Sequence, residues 1–130
     1  MLAWKTINGS NLGTAVADNG TRISLYLDDG TFLMFLFYWR NHVEGENDKS
    51  YFIKQQYVYA DINGPKFPNL LGKDVFVFNV DLNKEVIVPY GTDASVSALN
   101  SNCSKGSPSG VYCAAKIVRD GWEIKDDYPW

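Results

Sequence analysis

Between Arg22 and Trp39 the chain carries a pattern that a β-hairpin satisfies and a helix does not. Ile23, Leu25 and Leu27 alternate with Ser24 and Tyr26, and a period of two puts the two sets on opposite faces of a strand. Asp28-Asp29-Gly30 follows, and Asp-Gly tolerates the positive φ of a hairpin turn. Thr31–Trp39 then resumes as a second strand. Its stretch from Phe32 to Trp39 is the longest apolar run in the chain, well short of the ~18 residues that read as a membrane-spanning helix. It is therefore expected as a buried strand. An isolated hairpin is only marginally stable in water, so further strands or a packed helix must complete the sheet.

The remaining sequence supplies those strands. Tyr51–Ala60, rich in Tyr, Phe, Ile and Val, predicts a third. Asp74–Val80 and Glu85–Val88 predict a second hairpin around Asp81-Leu82-Asn83-Lys84. Arg40–Ser50 is polar and charged and reads as a surface loop. Asp61–Lys73 is punctuated by Gly64, Pro65, Pro68 and Gly72 and must be irregular. Pro89–Gly110 is poor in large apolar residues and is expected to be mostly loop. Tyr112–Arg119 predicts a short helix with Gly121 as its C′ residue, and Trp122–Trp130 an extended end. Residues 2–20 give a weak helical signal, read as the frayed end of a helix. With 130 residues, 45% hydrophobic and 15% aromatic, the chain suits one core. The expectation is a single α+β domain over residues 1–130, an antiparallel sheet of four or five strands with a short C-terminal helix. Such a sheet needs cover, and the cover within these residues is thin.

Charge and cysteine usage exclude several functions. The net charge is −3 and the pI about 5.0, with basic residues scattered, which argues against nucleic acid as a partner. Cys103 and Cys113 lie in a Ser/Gly/Pro-rich stretch without the further Cys or His ligands that a metal site uses. A disulfide is the favoured reading, and it places the protein outside the reducing cytoplasm. Catalytic material is sparse. His42, the only histidine, sits in a charged loop with Glu44, Glu46 and Asp48 and no nucleophile motif. Asp28/Asp29 and Asp126/Asp127 are sequence neighbours, which point to opposite faces of an extended chain and do not flank one substrate. No enzyme activity and no catalytic residue is expected.

Two segments resemble a known group. The first is Asp61-Ile62-Asn63-Gly64-Pro65-Lys66-Phe67-Pro68-Asn69, continuing to Gly72, Asp74 and Phe76; the second is the run from Cys113 to Trp130, CAAKIVRDGWEIKDDYPW. Together they resemble the C-terminal halves of bacterial type IV pilin-like proteins and type II secretion pseudopilins, which carry a prepilin-type cleavage and methylation segment. The likeness covers roughly residues 55–130. It implies a globular head whose antiparallel sheet packs on a long hydrophobic helix, preceded by a basic leader that a prepilin peptidase removes. Leader and helix would lie upstream of Met1, anchoring the precursor in the inner membrane with the head extracytoplasmic. The implied partners are other pilin or pseudopilin subunits, with the membrane reached only through that helix. The implied work is assembly of a filament or pseudopilus through packing surfaces. A C-terminal disulfide loop, frequent in the group, is matched by Cys103 and Cys113.

Three further features carry alternatives. Asp61, Asn63 and Asp74, with Asn69, offer hard oxygens to calcium, and some major pseudopilins bind calcium in a head loop. The EF-hand pattern fails, because its fifth and twelfth positions hold Pro65 and Gly72, and Asx-type turns of Asp61 and Asn63 onto their own backbone are the favoured reading. Trp39, Trp122, Trp130, Tyr57, Tyr59 and Tyr128 could form a sugar platform, making the chain a secreted carbohydrate- or surface-polymer-binding module; packing is the commoner use of such residues. Asn8-Gly9-Ser10, Asn19-Gly20-Thr21 and Asn102-Cys103-Ser104 match the glycosylation sequon and are read as chance matches.

Overall fold

The first hairpin forms where the alternation predicts it. In the computed structural model, which describes residues 4–12, 20–38, 56–64, 66, 68–81 and 84–130, β1 (Gly20–Tyr26) pairs antiparallel with β2 (Phe32–Tyr38), and Tyr26 stands opposite Phe32. The turn closes through Leu27 N–H donating to Thr31 O at 2.8 Å and Gly30 N–H donating to Leu27 O at 2.9 Å. Asp29 Oδ1 accepts from Thr31 N–H at 2.9 Å, and these hydrogen bonds from Thr31 hold the Asp29 carboxyl below its usual pKa. Gly30 takes the left-handed φ of +92° that the turn requires.

β3 (Gln56–Asp61), β4 (Val75–Asp81) and β5 (Val86–Pro89) follow, and the five strands pair in chain order, each antiparallel to the next. The α+β expectation with an antiparallel sheet holds. Register sorts the side chains into two faces. On the first, Ser24, Met34, Tyr59 and Val77 form one row across the sheet, and Tyr26, Phe32, Asp61 and Val75 the next. On the second, Ile23, Phe35, Val58 and Phe78 form a row beside Leu25, Leu33, Ala60 and Phe76.

The first face is covered by the N-terminal segment and the loop before β4. Trp4 lies stacked on Tyr59, ring centroids 5.1 Å apart, and tilted against Phe32; Leu71 joins them in a cluster with Met34, Leu36, Val75 and Val77. The segment carrying Trp4 is not helical, in contrast to the expectation for residues 2–20. Asn8-Gly9-Ser10 turns it back on itself: Asn8 Oδ1 accepts from Thr6 Oγ1 and Ser10 N, and Gly9 sits at φ +84°. Lys5 N–H then donates to Asn69 O, Leu71 N–H to Lys5 O, Ile7 N–H to Ser109 O and Asn8 N–H to Ser107 O, each at 2.9 Å. Residues 4–12 therefore act as a strap whose backbone groups are satisfied by two distant loops rather than by a helix ladder.

Two short helices follow the sheet. α1 (Val96–Asn102) falls where a loop was expected; Ser95 caps it, its hydroxyl accepting from Ala98 N–H, and Leu99 is its buried residue. With so few apolar positions, its periodicity is too weak to read. α2 (Cys113–Arg119) matches the predicted helix. It ends in a Schellman arrangement: Gly121 N–H donates to Val118 O, Trp122 N–H donates to Ile117 O, and Gly121 lies at φ +83°. After Gly121 the chain bends rather than extending. Lys125 O accepts from Tyr128 N–H, so the predicted extended end is corrected to a turn-rich tail.

The Trp4–Asp61 pair makes a testable claim. Asp61 is fully buried, and its Oδ2 accepts from Trp4 Nε1–H at 2.8 Å. Burial raises the carboxyl's pKa, and the indole hydrogen bond partly offsets that rise. A buried carboxyl with a raised pKa favours folding most when protonated, and that contribution is lost as pH rises through the folded value. Trp4→Phe should therefore destabilise the fold by about 1–3 kcal/mol at neutral pH. The deficit should shrink below the ordinary carboxylate range, and urea unfolding at the two pH values checks it.

Candidate functional site

Loop 61–75 holds the three residues considered for calcium. Asp61 Oδ2 is taken by the Trp4 indole, and Asp61 Oδ1 accepts from Asn63 N–H at 3.4 Å. Both Asp74 oxygens are engaged, Oδ2 with Asn69 N–H at 2.7 Å and Oδ1 with Leu70 N–H at 2.6 Å. Asn69, buried and at φ +53°, orients its amide nitrogen to donate to Lys66 O and Gly64 O. Asp61 thus makes an Asx turn onto Asn63, whereas Asp74 reaches back to the backbone of residues 69 and 70, and Asn63 makes no such turn of its own among the described residues. Asn63 Oδ1 is buried, and no donor among the described residues reaches it. Among the described residues no three acidic, His or Cys side chains gather as a metal site would. Pro65 lies outside the described residues, as do Trp39 and the loop with His42, Glu44, Glu46 and Asp48.

Cys103 and Cys113 are joined in a disulfide. It links the end of α1 to the start of α2 and is buried with Ile7 and Tyr128. Tyr128 Oη donates to Gly72 O, and burial pushes its phenol pKa well up. Gly72, at φ +79°, fits between them: a Cβ there would stand 2.5 Å from Cys113 Sγ. Lys116, on α2, is 1% exposed. Its ammonium donates to Asn100 Oδ1 at 3.0 Å and Asp127 Oδ2 at 2.8 Å, and lies 3.2 Å from Asp120 Oδ2. One buried cation so ties both helices to the tail. Burial works against ionisation of Asp120, but hydrogen bonds from Arg119 and Lys116 outweigh it and hold that carboxyl below its usual pKa.

The aromatic residues considered as a sugar platform do not converge. Tyr59 is buried under Trp4 and Tyr128 beside the disulfide. Trp130 donates its indole N–H to Leu71 O beneath Lys73, and Trp122 stands 77% exposed beyond α2. Tyr57 borders a cavity. That groove, of about 410 Å³, lies at the end of the first face away from Asp61, and Asn79, Asp81, Tyr90, Gly91, Asp93 and Tyr112 line it as well. Tyr90 meets Tyr57 edge-on and Tyr112 at a tilt, both with centroids 5.4 Å apart. Gly91, at φ +92°, admits the Tyr112 ring, since a Cβ there would lie 2.5 Å from it. Sequence reasoning missed Tyr90 and Tyr112; the signal was Tyr90-Gly91-Thr92-Asp93, a glycine turn directly after a strand.

The second face of the sheet is apolar in both rows. Both buried clusters of the described residues lie elsewhere, but Val58 and Gln56 on its central strand are buried and Leu33, Phe35, Phe76 and Phe78 half-buried. The face stays open at both edges, with Ile23 51% and Leu25 47% exposed on β1 and Ile87 56% exposed on β5. The profile of a family of unknown function (DUF6613) matches residues 10–130. The chain belongs to that family. Neither a curated protein nor a solved structure matches it. Within this DUF6613 chain the matched span takes in all five strands, both helices and the disulfide. Among the described residues no helix is long and apolar enough to cross a membrane.

Two outcomes test the disulfide knot. Non-reduced protein should weigh two hydrogens less than reduced protein, and reduction should cost roughly 2–3 kcal/mol, the chain entropy of so short a loop. Gly72→Ala should cost more than about 2 kcal/mol even with the disulfide intact, from left-handed backbone strain plus overpacking against Cys113. Denaturant unfolding under oxidising and reducing conditions measures both.

Proposed function

We propose that this chain is the head of a pilin-like or pseudopilin-like assembly subunit and works through the apolar second face of its sheet. The observation that carries the reading is the exposed apolar margin of this face, Ile23 and Leu25 on β1 and Ile87 on β5, flanking the rows Ile23–Phe35–Val58–Phe78 and Leu25–Leu33–Ala60–Phe76. Apolar area of this kind on a surface marks an interaction site. Covering it contributes about 25 cal/mol per Å² removed from water.

The occupant proposed is an apolar helix encoded ahead of Met1, with neighbouring subunits completing the packing. The first face has its own cover in Trp4 and Leu71, and the exposed margins of the second are the proposed seat. In this reading a prepilin peptidase matures the precursor and the inner membrane holds it before assembly. The head works outside the cytoplasm, where the Cys103–Cys113 disulfide persists.

The test uses the full-length gene product in its own cells. Wild-type protein should appear in the filament fraction sheared from the cell surface. Ile23→Ser combined with Ile87→Ser should remove it from that fraction at least about tenfold, as expected for losing more than 1.4 kcal/mol of packing. The purified head should keep its circular dichroism and its disulfide. Recovery of the variant at wild-type level, or a wild-type product that stays cytosolic and monomeric, would overturn the proposal.

A further inference from the structure

We propose that the groove beside Tyr57, Tyr90 and Tyr112 binds a neutral saccharide, independently of the packing face. Its volume of about 410 Å³ falls within the ~300–1,000 Å³ typical of small-ligand sites, room for one or two sugar rings. The wall is mixed in the way a sugar requires. Three half-buried tyrosines supply apolar surface on side chains of low conformational entropy. Asn79 offers an amide that both donates and accepts, and Asp93 offers a carboxylate that accepts strongly from hydroxyls.

The charge of the wall narrows the ligand. Among the described residues two aspartates and no Lys, Arg or His border the groove, which disfavours phosphates, uronates and nucleic acids. A quaternary ammonium would suit the tyrosines and carboxylates but leaves the donor of Asn79 without an acceptor. Sugar hydroxyls match donors and acceptors together.

The groove's shape is set by backbone that resists collapse. Tyr57, Asn79 and Val88 are cross-strand neighbours fixed by the ladder. Gly91 lets the 90–94 turn lie flat on Tyr112, and Thr92 Oγ1 pins that turn by donating to Pro89 O at 2.6 Å. Tyr112 N–H in turn donates to Asn102 Oδ1 at 2.8 Å, tying the groove's far wall to α1. A preorganised cleft of this kind loses little on binding.

The test is two-dimensional NMR of the intact head titrated with maltose, cellobiose and N,N′-diacetylchitobiose. At least one should shift the resonances of Tyr90, Tyr112 and Asp93 saturably. Asp93→Ala and Asn79→Ala should each weaken that binding about fivefold, the loss of one hydrogen bond of roughly 1 kcal/mol. Ile23→Ser with Ile87→Ser should leave it unchanged, which separates this site from the assembly reading. Three results would overturn the proposal: no saturable shift with any of the sugars at millimolar concentration, equal binding of polygalacturonate, or tetramethylammonium shifting these resonances where the sugars do not.

Discussion

One aromatic side chain from the start of the chain closes the first face of the sheet. Trp4 stacks on Tyr59, leans on Phe32 and gives its indole N–H to a carboxylate with no solvent exposure. That hydrogen bond is what makes the burial of Asp61 tolerable, because an unpaired buried carboxylate would cost several kcal/mol or shift toward its neutral form. The backbone around Trp4 then stitches residues 69–71 to 107–109. Sheet, irregular loop and helical half are in register with one another because this strap touches all three.

The C-terminal half solves a different problem. Its sequence between Pro89 and Gly110 has few large apolar side chains, so it cannot bury enough surface to order itself. The disulfide, the glycine-sized gap filled by Cys113 and the hydroxyl of Tyr128 on Gly72 O replace a conventional core there. Lys116 adds a buried cation shared among three oxygen acceptors from two helices and the tail. Cross-links and directed polar contacts give a unique geometry where hydrophobic area is short, and that geometry positions Tyr112 as one wall of the groove. The second face needs no such construction, since two rows of apolar side chains follow from the pleat alone.

How much of this was legible in the residues depended on whether the signal was local. The first hairpin, the 74–88 hairpin, α2 with its Gly121 terminus and the Cys103–Cys113 pairing were all readable, because each rests on alternation, a turn or a cap within a few residues. The cap of α1 was present as Ser95, but one buried leucine in seven residues gives no periodicity to confirm it. The tail after Gly121 looked extended from Trp122, Ile124 and Tyr128, yet its course is set by the pull of Tyr128 toward Gly72, 56 positions away. The groove was invisible for the same reason. Tyr57, Tyr90 and Tyr112 are separated by more than twenty positions each and meet only through the ladder and the disulfide-linked helices.

By itself, then, the sequence determined an acidic α+β chain built on an antiparallel sheet, with a stapled C-terminal stretch. Those properties follow from composition and short-range pattern, which each residue carries wherever the chain goes. Only the tertiary structure decided which face of the sheet Trp4 covers, that the acids of the 61–75 loop are engaged with its backbone, and that three distant tyrosines share one groove. These depend on strand register and on contacts across half the chain. In a sheet a shift of one residue would exchange the two faces, so no local reading could have told which side Trp4 seals.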